Sequence, residues 1–497
     1  MNIKVFSKIF LALFLLLPQA LFAQNTAGRA ADFPRLEPDP QALEFFLRGQ
    51  GSGGFSWMDF AEISLWASGA TSEPYLAQIR AAAEAIQRSP DFPAARREQA
   101  EYILTFMHAN LLRSYLLTQS RIDTIFTNGR FNCVSSAVLY MILAKSAGFN
   151  VSGVITRDHA FVMVHIDGEA IDVETTNRLG FDPGNRREFH DEFGRITGFA
   201  YVPAQNYRDR ETISPIELVS LIMSNEIYEL ERRTRFSESI PIAIDRSALL
   251  TGIGDNPNTR AQASASFFEN PRRDIMNRLF NYGAFLLSSN REEDCLRWAA
   301  FASQSFPDER WEELSFAAVN NRIARFVRAN NLPGARNFLA AEGTVLSEAN
   351  YTRLDTMLLD SELLNSANRI RNTADGDSVL ADIEAARANG RISDQRATTF
   401  INLAVQRATT AFSSSRDWLS AIDYVEHAIA RFGSNSELER SLQNFRNNRA
   451  IYFHNRFATE WNRRNFDSAR QILNEGLTEF PNDRQLLANL DTINRQM

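Results

Sequence analysis

The fold is decided by residues 132–149, which read Asn132-Cys133-Val134-Ser135-Ser136-Ala137-Val138-Leu139-Tyr140-Met141-Ile142-Leu143-Ala144-Lys145-Ser146-Ala147-Gly148-Phe149. Small polar residues followed by a continuous apolar run predict a buried helix from about Cys133 to about Ala147, and Gly148 ends it. Two segments rich in β-branched and aromatic residues come next and predict strands, Val151 to Thr156 and His159 to Ile166.

A hairpin closes this part of the chain. Asp167-Gly168 is a strong signal for a two-residue turn, and Glu169 to Thr175 returns as the next strand. Residues 100–215 are therefore predicted to form a compact α+β unit. Helices are predicted on both sides of this unit, because apolar residues recur at helical spacing there. The flanking regions are 24–99, which begins with a Pro/Ala-rich linker, and the connector 216–264.

Cys133 has the surroundings of a nucleophile. It lies at the predicted first turn of a helix, where unpaired N–H groups and the helix dipole favour an anion and therefore the thiolate. His159 opens a strand 26 residues later, and Asp172 lies on the following strand. A thiol nucleophile needs a base to take its proton, and the base needs an acid to fix its tautomer. A free cysteine is also often just a small buried apolar group, so residue types alone leave both interpretations open.

The order of three motifs resembles the transglutaminase-like superfamily, whose fold is of the papain type. The motifs are Asn-Cys-Val-Ser-Ser at the start of the helix, Asp-His-Ala-Phe-Val at the start of a strand, and Ile-Asp-Val-Glu-Thr-Thr on the next strand. The resemblance implies that Cys133 is the nucleophile, His159 the base and Asp172 the orienting acid. It departs from the family at Val173, where the Asp-Pro-Thr-like string of the family has proline.

Simple counting along the hairpin raises a geometric difficulty for Asp172. With Asp167-Gly168 as the loop, Met163 pairs with Asp172, which leaves the aspartate on the same face as His159 but four residues along. That separation is roughly 13 Å at about 3.3 Å per residue. A bulge, a strong twist or a different pairing has to close the gap. Glu174 is two residues nearer and is the reserve candidate, while the motif order favours Asp172.

Other polar residues near these motifs carry weaker signals. Gln119 and Asn132 are candidates to donate a hydrogen bond to an oxyanion, a role that papain-like enzymes give to a side-chain amide. His165 is interpreted as an ordinary strand residue. The sequence has no HxxxH or CxxC spacing, so we predict no metal and no cofactor. Cys295 is predicted to fill a helical core.

From about residue 265 to the end, 265–497, the sequence shows a degenerate repeat of helix pairs. Its two clearest copies share steps of 3, 4, 3 and 4 residues and are Trp418-Ala421-Val425-Ala428-Phe432 and Phe466-Ala469-Leu473-Gly476-Phe480. The pattern resembles tetratricopeptide repeats, but the copies are spaced more widely than the period of about 34 residues in that family. The resemblance implies an α-helical solenoid whose concave surface holds a protein or peptide partner.

The amino terminus and the composition limit the remaining possibilities. Residues 1–23 have the basic start, short apolar stretch and small-residue end of a signal peptide, so we expect an exported, periplasmic or secreted protein without a stable membrane span. The net charge of −7 argues against a nucleic-acid partner, and two cysteines cannot form a disulfide framework. Lysine occurs only at Lys4, Lys8 and Lys145.

These observations favour an α+β transglutaminase-like or papain-like core flanked by helices and followed by a helical solenoid. The expected activity is acyl transfer or hydrolysis of an amide or peptide bond by a Cys133–His159–Asp172 triad. Hydrolysis is preferred to crosslinking. The alternative is a non-catalytic scaffold that binds envelope or secreted proteins, and the sequence leaves the substrate, the partner and the oligomeric state open.

Overall fold

The computed structural model describes residues 33–51, 53–70, 72–156, 159–184, 187–198, 210–252 and 271–496. The predicted signal peptide, 1–23, and Asp158 of the histidine motif lie outside the described residues. The chain divides into two compact units, with the boundary after Asp308. The first two helices of the predicted repeat region therefore belong to the first unit. The architecture is mixed, with small sheets in the first unit and a helical carboxy-terminal region.

The first unit contains eleven described helices and six described strands. The helices are α1 (Pro40–Gly49), α2 (Trp57–Ala67), α3 (Ser72–Gln87), α4 (Arg96–Asn110), α5 (Asp123–Asn128), α6 (Cys133–Ser146), α7 (Arg187–Thr197), α8 (Pro215–Arg232), α9 (Phe236–Thr251), α10 (Pro271–Ser288) and α11 (Glu292–Ser305). The strands are β1 (Ser114–Tyr115), β2 (Arg130–Phe131), β3 (Asn150–Ile155), β4 (Ala160–Ile166), β5 (Glu169–Val173) and β6 (Glu211–Ile213).

Four of these strands form an antiparallel sheet in the order β5-β4-β3-β6. The turn between β4 and β5 has positive φ at Asp167 and Gly168, 51° and 84°, as a type I′ hairpin requires. Ile166 pairs with Glu169, and Met163 pairs with Asp172. The register counted from the sequence is thus confirmed, because the turn chemistry and the alternation of side chains specify it locally.

Helix α6 is the centre of the first unit. Every residue from Cys133 to Ala144 is buried, so the helix is apolar all round rather than on one face. Strands β3 and β4 pack on one side of it, and helices α2, α4 and α8 also contact it. Tyr140 is fully buried, and its hydroxyl donates a hydrogen bond to the carbonyl of Ala100 at 2.9 Å. This packing fixes the position of the helix end that carries Cys133.

The second unit consists of helices and one short 3₁₀ turn (Gly343–Val345) within its described residues. The helices are α12 (Arg310–Arg328), α13 (Leu332–Glu342), α14 (Glu348–Asn368), α15 (Thr373–Ala388), α16 (Asp394–Ser415), α17 (Trp418–Phe432), α18 (Ser436–Asn462), α19 (Phe466–Glu479) and α20 (Arg484–Gln496). Consecutive helices pack together, and α12, α14, α16, α18 and α20 also each contact the next helix of that series.

The two predicted small-residue ladders lie on α17 and α19. Ala421, Val425 and Ala428 are buried on α17, and the equivalent residues of α19, Ala469, Leu473 and Gly476, are buried as well. A Cβ atom on Gly476 would lie 3.0 Å from Cγ of Phe453, so the absence of a side chain lets α18 and α19 approach closely. Among the described helices, none is both long and apolar enough to cross a membrane.

Candidate thiol site

Asn132 caps the helix that carries Cys133. Its Oδ1 accepts hydrogen bonds from the backbone N–H groups of Val134 and Ser135, both at 3.0 Å, and its Nδ2 donates to Leu117 O and Ser120 Oγ. Asn132 is thus committed to the cap. Within the described ranges, no group accepts a hydrogen bond from the N–H of Cys133 itself. That N–H is the backbone donor left at this helix terminus.

Cys133 and His159 are brought together at the start of α6. Cys133 is the first residue of the helix and is 7% exposed, while the His159 side chain is 10% exposed. Burial of the ring opposes its protonation, but the charge of Glu174 and the interaction of the ring with Cys133 outweigh the effect of burial and raise the pKa of His159 well above the ordinary value. The arrangement therefore favours the protonated imidazolium form of His159 beside Cys133.

The carboxylate that His159 contacts is that of Glu174. Nε2 of His159 lies 2.6 Å from Oε2 of Glu174, and Glu174 is 1% exposed. Because Nε2 is bonded to the carboxylate, Nδ1 is the ring nitrogen left to exchange a proton with the thiol. Cys133, His159 and Glu174 have the connectivity of a nucleophile, a base and an orienting acid.

Asp172 does not contact His159, contrary to the position predicted for it. Both of its carboxylate oxygens accept hydrogen bonds from Arg210, at 2.7 and 2.5 Å. Its position opposite Met163 keeps it away from the start of β4, as the register requires. The guanidinium of Arg210 also lies 5.2 Å from the ring centre of Phe161. Asp172 thus belongs to an ion pair further along the same face of the sheet.

A tight loop after β5 presents Glu174 to the histidine. Oε1 of Glu174 accepts hydrogen bonds from the N–H of Thr176 at 3.2 Å and from the Thr176 hydroxyl at 2.7 Å, which leaves Oε2 for His159. The backbone N–H of Glu174 donates to Gly180 O at 2.8 Å. A Cβ atom on Gly180 would lie 1.9 Å from the carbonyl oxygen of Glu174, so only glycine fits there. The chain therefore bends back immediately after the ladder ends.

Aromatic rings surround His159. Phe161 stacks beside it with 6.2 Å between ring centres, and Phe193 of α7 meets it edge-on at 5.5 Å. Phe193 is 3% exposed and packs against Phe189 on the same helix. These rings exclude water from the imidazole, which strengthens its electrostatic interaction with Glu174. The spacing of residues along the chain does not indicate the contact with Phe193.

Tyr115 is a second residue that the sequence did not single out. Its strand, β1, runs parallel to β2, so that Tyr115 pairs with Phe131, two residues before Cys133. Burial raises the pKa of Tyr115, and the charges of Cys133 and Glu174 raise it further. The phenol therefore stays protonated near the thiol and is a hydrogen-bond donor. The pairing involves two residues per strand, too few to produce a recognisable alternation.

The remaining candidates have simpler positions. The backbone carbonyl of Gln119 accepts a hydrogen bond from Ser135 Oγ at 3.0 Å, which places Gln119 beside the cap of α6. Nε2 of His165 lies 3.2 Å from Ser152 Oγ on the neighbouring strand. Cys295 is fully buried, and burial raises its pKa to about 12. Among the residues described, no group of three or more His, Cys, Asp or Glu side chains is arranged to hold a metal ion.

Comparison of the chain with models of known protein families finds no match. Comparison with curated proteins finds no similar protein either.

Proposed function

We propose that this chain is an exported thiol enzyme with a transglutaminase-like or papain-like core. It hydrolyses an amide or peptide bond, or transfers the acyl group of that bond to an amine. The observation that carries the proposal is the position of His159, which faces Cys133 and is bound through its other nitrogen by Glu174. The Cys133 thiolate would attack the carbonyl carbon, and His159 would protonate the leaving amine. Water or a second amine would then resolve the thioester.

Two groups are suited to stabilise the tetrahedral intermediate. The N–H of Cys133 is at the positive end of the helix dipole, and the protonated phenol of Tyr115 is close to the thiol. Gln119, beside the cap, is the third candidate donor. Asn132 is excluded from this role because its amide nitrogen and oxygen are bonded to Leu117, Ser120 and the first turn of α6.

The choice between hydrolysis and crosslinking concerns the acceptor of the acyl group. After removal of the proposed signal peptide, Lys145 would be the only lysine of the chain. Its side chain is half-buried, with the ammonium 5.3 Å from the ring centre of Phe60, and burial lowers its pKa. Crosslinking of the protein to itself is therefore disfavoured, and hydrolysis remains the preferred reaction.

The second candidate is a non-catalytic scaffold, and the burial of Cys133 favours it. In both cases the helices of the second unit are proposed to form a tetratricopeptide-like surface for a protein or peptide. The regular packing of α12, α14, α16, α18 and α20 supports that proposal.

Alkylation of the two cysteines distinguishes the candidates. The protein is treated with iodoacetamide at graded pH, and labelling of the Cys133 and Cys295 peptides is followed by mass spectrometry. An enzyme requires Cys133 to react at least about tenfold faster than a free thiol near pH 6, because the thiolate is the reactive form. Cys295 is the internal control, since it is fully buried. Loss of casein hydrolysis in Cys133→Ala would then assign the activity. Labelling of Cys133 no faster than that of glutathione would favour the scaffold.

A further inference from the structure

A second histidine contacts the loop that carries Glu174. His108 lies in the last turn of α4, and its Nε2 atom is 3.0 Å from the backbone oxygen of Thr175. Because a carbonyl oxygen can only accept, Nε2 of His108 must carry the hydrogen of this bond. The bonded carbonyl belongs to the residue directly after the carboxylate that binds His159.

The side chain of Thr175 is held as well. Its Oγ1 lies 2.8 Å from Oγ of Ser136, which in turn donates a hydrogen bond to Asn132 O at 2.8 Å. Since Ser136 uses its hydrogen there, the Thr175 hydroxyl is the donor between the two. Thr175 is thus bonded through its backbone to α4 and through its side chain to the helix that begins with Cys133.

The surroundings of His108 suit a neutral donor. The ring meets Phe131 edge-on at 6.1 Å, and burial lowers the pKa of His108 although its bond to Thr175 opposes this effect. The charged groups that face it are Glu192 from α7 together with Arg178 and Glu174 from the loop. The titratable groups that face His159 are Glu174 and Cys133. At neutral pH, His108 therefore carries one ring hydrogen, which lies on the Thr175 side.

We propose that His108 is a positioning residue for the thiol site, because its bond to Thr175 fixes the loop in the conformation in which Glu174 reaches His159. The inference rests on the proposed function, since it assigns a task within the same triad. Without the bond, one end of the loop is released and Glu174 moves away from the ring. The imidazolium then loses its counter-charge and deprotonates at lower pH.

Three variants test this assignment. His108→Gln keeps an amide N–H at about the reach of Nε2, whereas His108→Asn is one methylene too short and His108→Phe has no donor. The rate of Cys133 carboxymethylation by iodoacetate is measured from about pH 4 to about pH 10. The rate rises as the thiolate forms and falls as the imidazolium beside it loses its proton. Circular dichroism and thermal unfolding establish that each variant is folded.

The expected result is a shift of the upper limb of this profile to lower pH, by about one unit or more, in His108→Asn and His108→Phe. His108→Gln should restore the wild-type limb. A folded Asn or Phe variant with the wild-type upper limb, even one that unfolds at lower temperature, would overturn the assignment and leave His108 a packing residue. If the wild type itself alkylates at Cys133 like a free thiol, the proposed function fails instead.

Discussion

Nε2 of His159 lies 2.6 Å from Oε2 of Glu174, the first residue beyond the paired part of β5. The ladder ends at Val173, which pairs with Val162, and Val173 then forms an isolated bridge with Phe181. Glu174 therefore lies outside the β4–β5 ladder, and its side chain reaches His159 at the start of β4. The hairpin has no bulge that would bring Asp172 closer to His159. Glu174, two residues further along the chain, supplies the carboxylate instead.

The two acids make a matched pair of substitutions. Glu174→Gln removes the charge that faces His159, so we expect the upper limb of the iodoacetate profile to move to lower pH and any amide hydrolysis to fall by about 10²-fold or more. Asp172→Asn should leave that limb in place, because Asp172 is bonded to Arg210. The measurements are the alkylation profile and the initial rate on casein. The opposite pattern, with Asp172→Asn shifting the limb and Glu174→Gln not, would restore Asp172 as the acid.

The His159–Glu174 pair also predicts how stability depends on pH. The folded-state pKa of His159 is raised above its unfolded value of about 6.5. Its contribution to the free energy of unfolding is therefore fully present below about pH 6.5 and is lost as the pH rises through the folded-state pKa. Each unit of that shift corresponds to about 1.4 kcal/mol. In urea unfolding, the wild type should have a larger free energy of unfolding than Glu174→Gln, and this difference should be largest near pH 6 and decrease at alkaline pH. A difference that widens with rising pH would contradict the pairing.

The parts of this fold that local chemistry specifies were predictable from the sequence. The helix start at Cys133 depends on the Asn132 cap and on an apolar run, and the hairpin depends on the Asp167-Gly168 turn. Each of these signals lies within a few residues of the structure that it determines. They placed the thiol at a helix terminus and the histidine at the start of a strand, and they gave the register between β4 and β5.

The choice of acid depends on contacts that are remote in sequence. Asp172 is bonded to Arg210, 38 residues away, and Glu174 contacts His159 from a loop that is closed by the hydrogen bond between Glu174 N–H and Gly180 O. The order of motifs compares the two acids only by their positions in the chain. It does not indicate that Asp172 binds Arg210 or that the loop brings Glu174 to His159. The same holds for the contact of Phe193 with His159 and for that of His108 with Thr175, which join separate helices to the site.

The contact of Phe193 with His159 predicts a change in the access of reagents to the site. Phe193→Ala removes the ring that meets the imidazole edge-on, so we expect iodoacetamide to label Cys133 several-fold faster at pH 7. Phe92→Ala is a control, because it removes the same kind of ring from a contact with Tyr102 elsewhere in the unit. Equal labelling rates in the wild type and a folded Phe193→Ala would show that α7 does not limit access to the thiol.

Gly180 gives the most direct test of the loop itself. In Gly180→Ala the new Cβ would lie 1.9 Å from the carbonyl oxygen of Glu174 and 2.9 Å from that of Asn177, so the loop must open. We expect a loss of about 1–3 kcal/mol in the free energy of unfolding, together with a downward shift of the upper alkylation limb as Glu174 leaves His159. Gly53→Ala is the matched control, because a Cβ there meets nothing within 4 Å. Urea unfolding and the iodoacetate profile measure the two effects separately. A Gly180→Ala protein with wild-type values of both would mean that the position of Glu174 does not depend on this loop.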